Sequence, residues 1–403
     1  MVSLHRAHCA TASPSPLTAG FSLVLFLAIA SCSSSVAPTS VHAEDEAKKD
    51  AAKSAETDPD YAVPDGTPEE IKEFIQTLQK KRPKFANRQE FIDHAVKTQR
   101  AIISAGDKIL AQDTDEKVAV EAAQMKLGSL TMLAANQIGD SAKEALAAAT
   151  KLKADPREAV AKSVDQFWMP IRVFNVPSMT AEERKTLTDD VLASLVDSKF
   201  SRESMMVAQQ LGDVLSDGGN AEEAGALYDR LVKAVTDSGN AKLEPLIERF
   251  EGIARRLRLP GHFMALEGKL LSGEDFDWDS YRGKVVLVDF WATWCGPCIG
   301  ELPNVKENYK KYHDKGFDVV AISLDRSREP LDKFIEKEEI PWAQLYDEEV
   351  QKGQGWNHPL AKHYGITGIP AAILVDKNGK VVSMKARGDE LTKQLDKLLG
   401  PAE

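Results

Sequence analysis

The residues best suited to chemistry are two thiols in Trp294-Cys295-Gly296-Pro297-Cys298. A pair at this spacing can exchange with other disulfides, hold half a zinc site, or staple a loop. Zinc takes four ligands, and the remaining cysteines, Cys9 and Cys32, both lie near the N-terminus. A staple across so short a loop removes little entropy from the unfolded chain. Redox exchange is the reading that remains. An apolar run, Val285-Val286-Leu287-Val288, precedes the pair, and a helical pattern, Ile299 to Tyr312, follows it. The first thiol therefore stands where unpaired helix N–H groups and the helix dipole favour a thiolate, with the second one turn on.

The rest of the chain must position that pair. Its 403 residues suggest two or three domains, and 43% hydrophobic with 28% charged residues is ordinary for globular protein. A net charge of −11, without a basic tract carrying interleaved aromatics, argues against nucleic acid as a partner. No metal site and no cofactor motif is read.

Residues 1–43 read as an export leader, with a weakly basic start (His5, Arg6, His8) and an apolar run from Leu17 to Ala30. That run is shorter than the roughly 20 residues of a membrane span and fits a signal segment. Two processing outcomes are open. Ile29-Ala30-Ser31-Cys32 resembles a bacterial lipobox, which would make Cys32 the lipidated first residue and a lipid anchor the chain's one link to a membrane. Val41-His42-Ala43 resembles an ordinary signal-peptidase site, which would release a soluble protein at Glu44. Either product keeps just Cys295 and Cys298 beyond the leader region, and an exported chain with one close pair is not using disulfides for stability.

Residues 44–66, rich in Ala, Glu, Asp, Lys and Pro, read as a solvated acidic tether. From 67 to 259 the pattern is helical throughout. Thr67-Pro68-Glu69-Glu70 has the form of an N-cap, a first-turn proline and early acids, with Ile71, Phe74, Ile75 and Leu78 on one face. Val118 to Leu133 reads as long and buried. Gly218-Gly219-Asn220 and Ser238-Gly239-Asn240 set off helices over Ala221–Thr236 and Ala241–Leu257. Eight or nine helices are expected, loosely similar around Asn220–Tyr228 to tetratricopeptide repeats, though without a strict period. Two roles stand side by side: a docking surface, or a spacer or dimerisation bundle.

Leu259-Pro260-Gly261 marks a boundary, and residues 260–403 read as α/β. Strands are expected at Phe263–Leu266, Val285–Phe290, Phe317–Leu324, Ala371–Val375 and Val381–Lys385, the last two joined by an Asn378-Gly379 hairpin turn. Helices are expected over 296–314, Glu329–Glu339, Pro359–Tyr364 and Asp389–Leu399. The order implies a central mixed sheet with helices on both faces.

With these residues laid out, the C-terminal part resembles the thioredoxin fold, and within it the exported TlpA/ResA-like thiol–disulfide oxidoreductases. The likeness is carried by Gly283 to Cys298, by Glu301-Leu302-Pro303 and by Gly368-Ile369-Pro370. It implies that Cys295 attacks a client disulfide and that Cys298 resolves the mixed disulfide. Pro297, in the first helical turn, belongs to a Gly-Pro pair like that of reducing members, with a potential on the order of −270 mV. Pro370 matches the family's cis-proline, the Ile369 backbone would meet an extended substrate, Trp294 would cover the dithiol's edge, and Gly388 would line the groove. Asp289 and Glu301 match acids used for proton transfer by different relatives, and Ala321 stands where cytoplasmic relatives carry a lysine. The implied partners are disulfide-containing proteins, apocytochromes among them, and a membrane thiol-reductant donor in the cell envelope. Alternatives are an isomerase dimerised through the helical domain, a client-binding module built on that domain, and a thiol peroxidase, whose usual Thr-x-x-Cys loop is missing.

Overall fold

The computed structural model describes residues 58–81, 83–351 and 353–401. The leader, Cys32 and tether residues 44–57 lie outside the described residues. Ten α-helices are found among the described residues before Leu259: α1 (Pro68–Lys80), α2 (Arg88–Leu110), α3 (Glu116–Ala135), α4 (Ser141–Lys153), α5 (Glu158–Ser163), α6 (Asp165–Phe174), α7 (Ala181–Asp197), α8 (Arg202–Asp217), α9 (Ala221–Ser238) and α10 (Pro245–Leu257).

Local chemistry sets where these helices begin. Thr67 accepts from the Glu70 N–H at 3.3 Å while the Glu70 carboxylate accepts from the Thr67 N–H at 2.8 Å, a reciprocal cap. Thr180 and Glu183 repeat it at the start of α7. The helix expected over Ala241–Leu257 is instead a 3₁₀ turn followed by α10. Pro245 has no N–H to give and so opens a helix rather than continuing one.

The helices bury three successive cores. Ile71, Ile75 and Leu78 of α1 meet Ile102, Ala105 and Ile109 of α2. Leu127 and Leu130 of α3 meet Ala145, Ala149 and Leu152 of α4, with Val160 and Ile171. Leu187 and Val191 of α7, Leu211 and Leu215 of α8, Leu227 and Leu231 of α9, and Phe250 and Ile253 of α10 form the third. Each buried Leu or Ile contributes about 1.5–3 kcal/mol, so tertiary burial holds the array together.

After Leu259 the chain builds β1 (Val285–Trp291), α11 (Gly296–Tyr312), β2 (Phe317–Ser323), α12 (Arg328–Lys337), β3 (Ala343–Leu345), α13 (Glu348–Gln351), α14 (Pro359–His363), β4 (Ala371–Val375), β5 (Val381–Ser383) and α15 (Asp389–Leu399). The sheet runs β3-β2-β1-β4-β5, with β1, β2 and β3 parallel and β4 and β5 antiparallel to their neighbours. The expected mixed sheet flanked by helices is present. One expected strand is not: Phe263–Leu266 makes a single bridge, from Phe263 to Lys380, because this stretch crosses the β4–β5 turn rather than running beside it. β5 also ends earlier than expected, beyond a register shift at Leu374/Val375.

Helix α10 packs directly on the α14–β4 connection. A Cβ placed on Gly252 would lie 2.5 Å from the Lys362 carbonyl and 2.6 Å from the Gly365 nitrogen, so only a bare backbone fits there. Arg255 donates to the His363 carbonyl, and Arg256 Nε to the Tyr364 carbonyl at 3.1 Å. Lys385 and Asp217 of α8 add an exposed ion pair at 2.5 Å.

Candidate functional site

β1 ends in the core at Trp291, and the chain turns through Ala292-Thr293-Trp294 into α11. Cys295 caps that helix, its sulfur accepting from the Cys298 N–H at 3.2 Å. Cys295 and Cys298 are joined by a disulfide, with sulfurs 2.03 Å apart. Both are largely shielded, at 5% and 6% exposure. Gly296 and Pro297 form the exposed first turn, where proline gives up no helix bond. Among the described residues no group of three or more His, Cys, Asp or Glu could hold a metal.

Beneath the disulfide lies Asp289, on the central strand. It pairs in register with Ala321 of β2 and Ala372 of β4, two small neighbours that leave space beside it. Asp289 and Cys298 line one crevice of about 10 Å³ with Leu302, Val305, Ile340 and Trp342. That is about the room one water needs. Burial raises the Asp289 carboxyl to about 7; the charge of Glu301 pushes the same way, and Arg387 opposes them. The group thus changes charge near neutral pH, beside a sulfur.

Glu301 sits differently. Its Oε1 accepts from the Gly388 N–H at 2.7 Å and from Asn304 Nδ2 at 2.6 Å, and Asn304 also donates to the Gly388 carbonyl at 3.3 Å. Glu301 therefore ties α11 to the turn before α15 and does not line the crevice. Gly388, at φ +54°, adopts a conformation that other residues rarely do. The Ile369–Pro370 peptide is cis, and the Pro370 carbonyl accepts from Arg387 at 3.4 Å. Trp294 is 51% exposed, with its ring centroid 6.5 Å from that of Trp356.

Three contributors escaped the sequence reading. Asp325, buried just beyond β2, accepts from the Thr293 N–H at 3.1 Å and from Thr293 Oγ1 at 2.5 Å, and Ser323 donates to it at 2.8 Å. It anchors the turn that carries the dithiol. An acid directly after the buried run Phe317–Leu324 was the available signal, because the carboxyl ends of parallel strands gather functional groups. Arg387 and Trp356 had none, lying in a short connection and a loop whose path the pattern does not specify.

Comparison with known proteins finds similarity over the C-terminal part of the chain. The Redoxin family model matches residues 261–399. Thiol-disulfide oxidoreductase ResA of Bacillus thuringiensis subsp. konkukian is 31% identical over 134 residues, 33% of this chain and 69% of the relative. The ResA of Bacillus anthracis is 32% identical over 131 residues, 32% of this chain and 68% of that one. Among solved structures, the thioredoxin domain of a thiol-disulfide oxidoreductase from Bacteroides vulgatus is 33% identical, with a TM-score of 0.31, and the match covers 35% of this chain and 97% of that domain.

Proposed function

Since the chain belongs to the ResA-like thiol–disulfide oxidoreductases, acting on disulfide-containing proteins, we propose that Cys295 and Cys298 are its working pair and that it runs as a reductase outside the cytoplasm. The observation that carries the assignment is the Cys295–Cys298 disulfide at the start of α11, with an ionisable acid in the crevice beside Cys298. The Cys295 thiolate attacks one sulfur of a client disulfide, forming a mixed disulfide and releasing the other client sulfur. Cys298 then attacks Cys295, the second client sulfur leaves as a thiol, and the pair is oxidised by two electrons.

Asp289 takes the Cys298 proton as that second attack proceeds, directly or through a water in the crevice. Glu301 serves as support, holding the Gly388 turn and raising the Asp289 carboxyl by its charge. The carbonyl next to Pro370 and the exposed Trp294 face an extended client segment. The leader favours export, with Cys32 as the anchor if the lipobox is used, and a membrane thiol donor then restores the dithiol. Among the described residues no helix is long and apolar enough to cross a membrane.

The Cys298→Ser protein, incubated with envelope extract, should accumulate a reductant-sensitive mixed disulfide through Cys295, and Cys295→Ser should not. Equal trapping by both variants would overturn the roles.

A further inference from the structure

A second aromatic side chain stands at the mouth of the site, on a turn whose backbone is closely seated. Trp356 is 41% exposed and faces the 51% exposed Trp294 across 6.5 Å, the rings inclined at 56°. Isolated exposed apolar residues are unremarkable, but two tryptophans together, one of them adjacent to Cys295, form a patch where client chain must pass.

Both tryptophans hang from one short stretch at the end of β2. Asp325 fixes Thr293, directly before Trp294. Leu324 seats Gly355, directly before Trp356, so closely that a Cβ there would sit 1.7 Å from the Leu324 carbonyl oxygen. The exit of the Trp356 turn is fixed as well: His358 is buried, and its Nδ1 accepts from the Leu360 N–H at 3.2 Å. The backbone beside both aromatics is thus held in place before a client arrives, which removes part of the entropy loss that weakens contact by a mobile loop.

We infer that Trp356 is a specificity-determining residue, which with Trp294 receives a large apolar side chain next to the reacting cysteine of the client. The occupant follows from the exchange itself and rests on the reading of Cys295 as the attacking sulfur. A client sulfur bonded to Cys295 brings its neighbouring residues over Trp294, and the next surface on that side is Trp356. Aromatic and aliphatic side chains gain there by burial and ring packing, and small polar ones do not.

The test uses the full chain, reduced, and two synthetic peptides with one cysteine held as a glutathione mixed disulfide. One peptide carries Phe on both sides of the cysteine and the other carries Ser. Second-order rates of dithiol oxidation are measured for the wild type, Trp356→Ala and Trp356→Phe. The wild type should favour the Phe peptide, Trp356→Ala should shrink that preference about tenfold, and Trp356→Phe should keep most of it. An unchanged preference in Trp356→Ala, or equal slowing with both peptides in both variants, overturns the specificity role while leaving the exchange reading intact. If the wild type oxidises with neither peptide, the exchange reading itself falls, and the inference with it.

Discussion

Replacing Asp289 by Asn isolates the half-buried acid beside Cys298 and predicts a stability difference that grows with pH. Burial holds the carboxyl at about 7 against an ordinary 3.8, so the folded protein keeps a proton that the unfolded chain has already lost. For an acid raised in this way, no stability is lost below the ordinary value. Stability then falls as pH rises toward the folded value, and above that the loss is complete. Its full size is on the order of 4 kcal/mol, an upper figure because the crevice admits water. Asn cannot ionise and escapes the loss. Relative to wild type, oxidised Asp289→Asn should therefore gain about 2–3 kcal/mol between pH ~5 and pH ~9. Any fixed effect of the substitution on packing cancels in that difference. Urea unfolding followed by tryptophan fluorescence suits the purpose, because Trp278, Trp291, Trp294, Trp342 and Trp356 all lie beyond Leu259 and Trp168 alone before it. A stability difference that is flat between the two pH values would refute the raised carboxyl, and with it the proton-accepting role near neutrality.

Other perturbations test the supports. Asp325→Ala removes the partner of the Thr293 N–H and hydroxyl and should lower stability by about 2–4 kcal/mol while slowing dithiol oxidation, read by urea unfolding and stopped-flow fluorescence. Gly252→Ala should destabilise by about 1–3 kcal/mol in thermal unfolding, since its methyl meets the backbone at Lys362 and Gly365. Gly128→Ala, inside α3 with Phe167 3.7 Å away, should instead stabilise by about 0.5–1 kcal/mol. Burial holds the His358 imidazole down to about 4, so the turn carrying Trp356 should be intact near neutrality and lose stability as pH falls from 6.5 toward that value. Hydrogen exchange across 354–360 measures this, and His358→Asn should flatten the dependence.

How much of this was legible beforehand depended on the range of the forces involved. The strand, the dithiol and the helix after it are encoded within about thirty consecutive residues, where periodicity and capping act locally. Ala321 came into view through the family resemblance, which implied a place near Asp289, and the parallel register does set the two residues opposite each other. Thr293 and Asp325 meet across two strands, and nothing at either position announces the other. Phe263–Leu266 has the composition of a strand and lacks a continuous partner, so only its fragment at Phe263 bridges. Gly252, inside a helix, and Gly365, in a connection, carry no local signal of their contact. Their shared reason, backbone against backbone, exists only once α10 and the α14–β4 connection are folded together.

That glycine contact also sets a length. Arg255, Arg256 and Gly252 hold α10 directly against the segment that leads to Pro370, so that helix and the proline side of the dithiol are in backbone contact. A client gripped along α10 would be held at a fixed span from Cys295. Only disulfides lying that far from the gripped epitope would fall within range. Were the array the docking surface, it would work as a caliper, sorting clients by the spacing between two points on their surface.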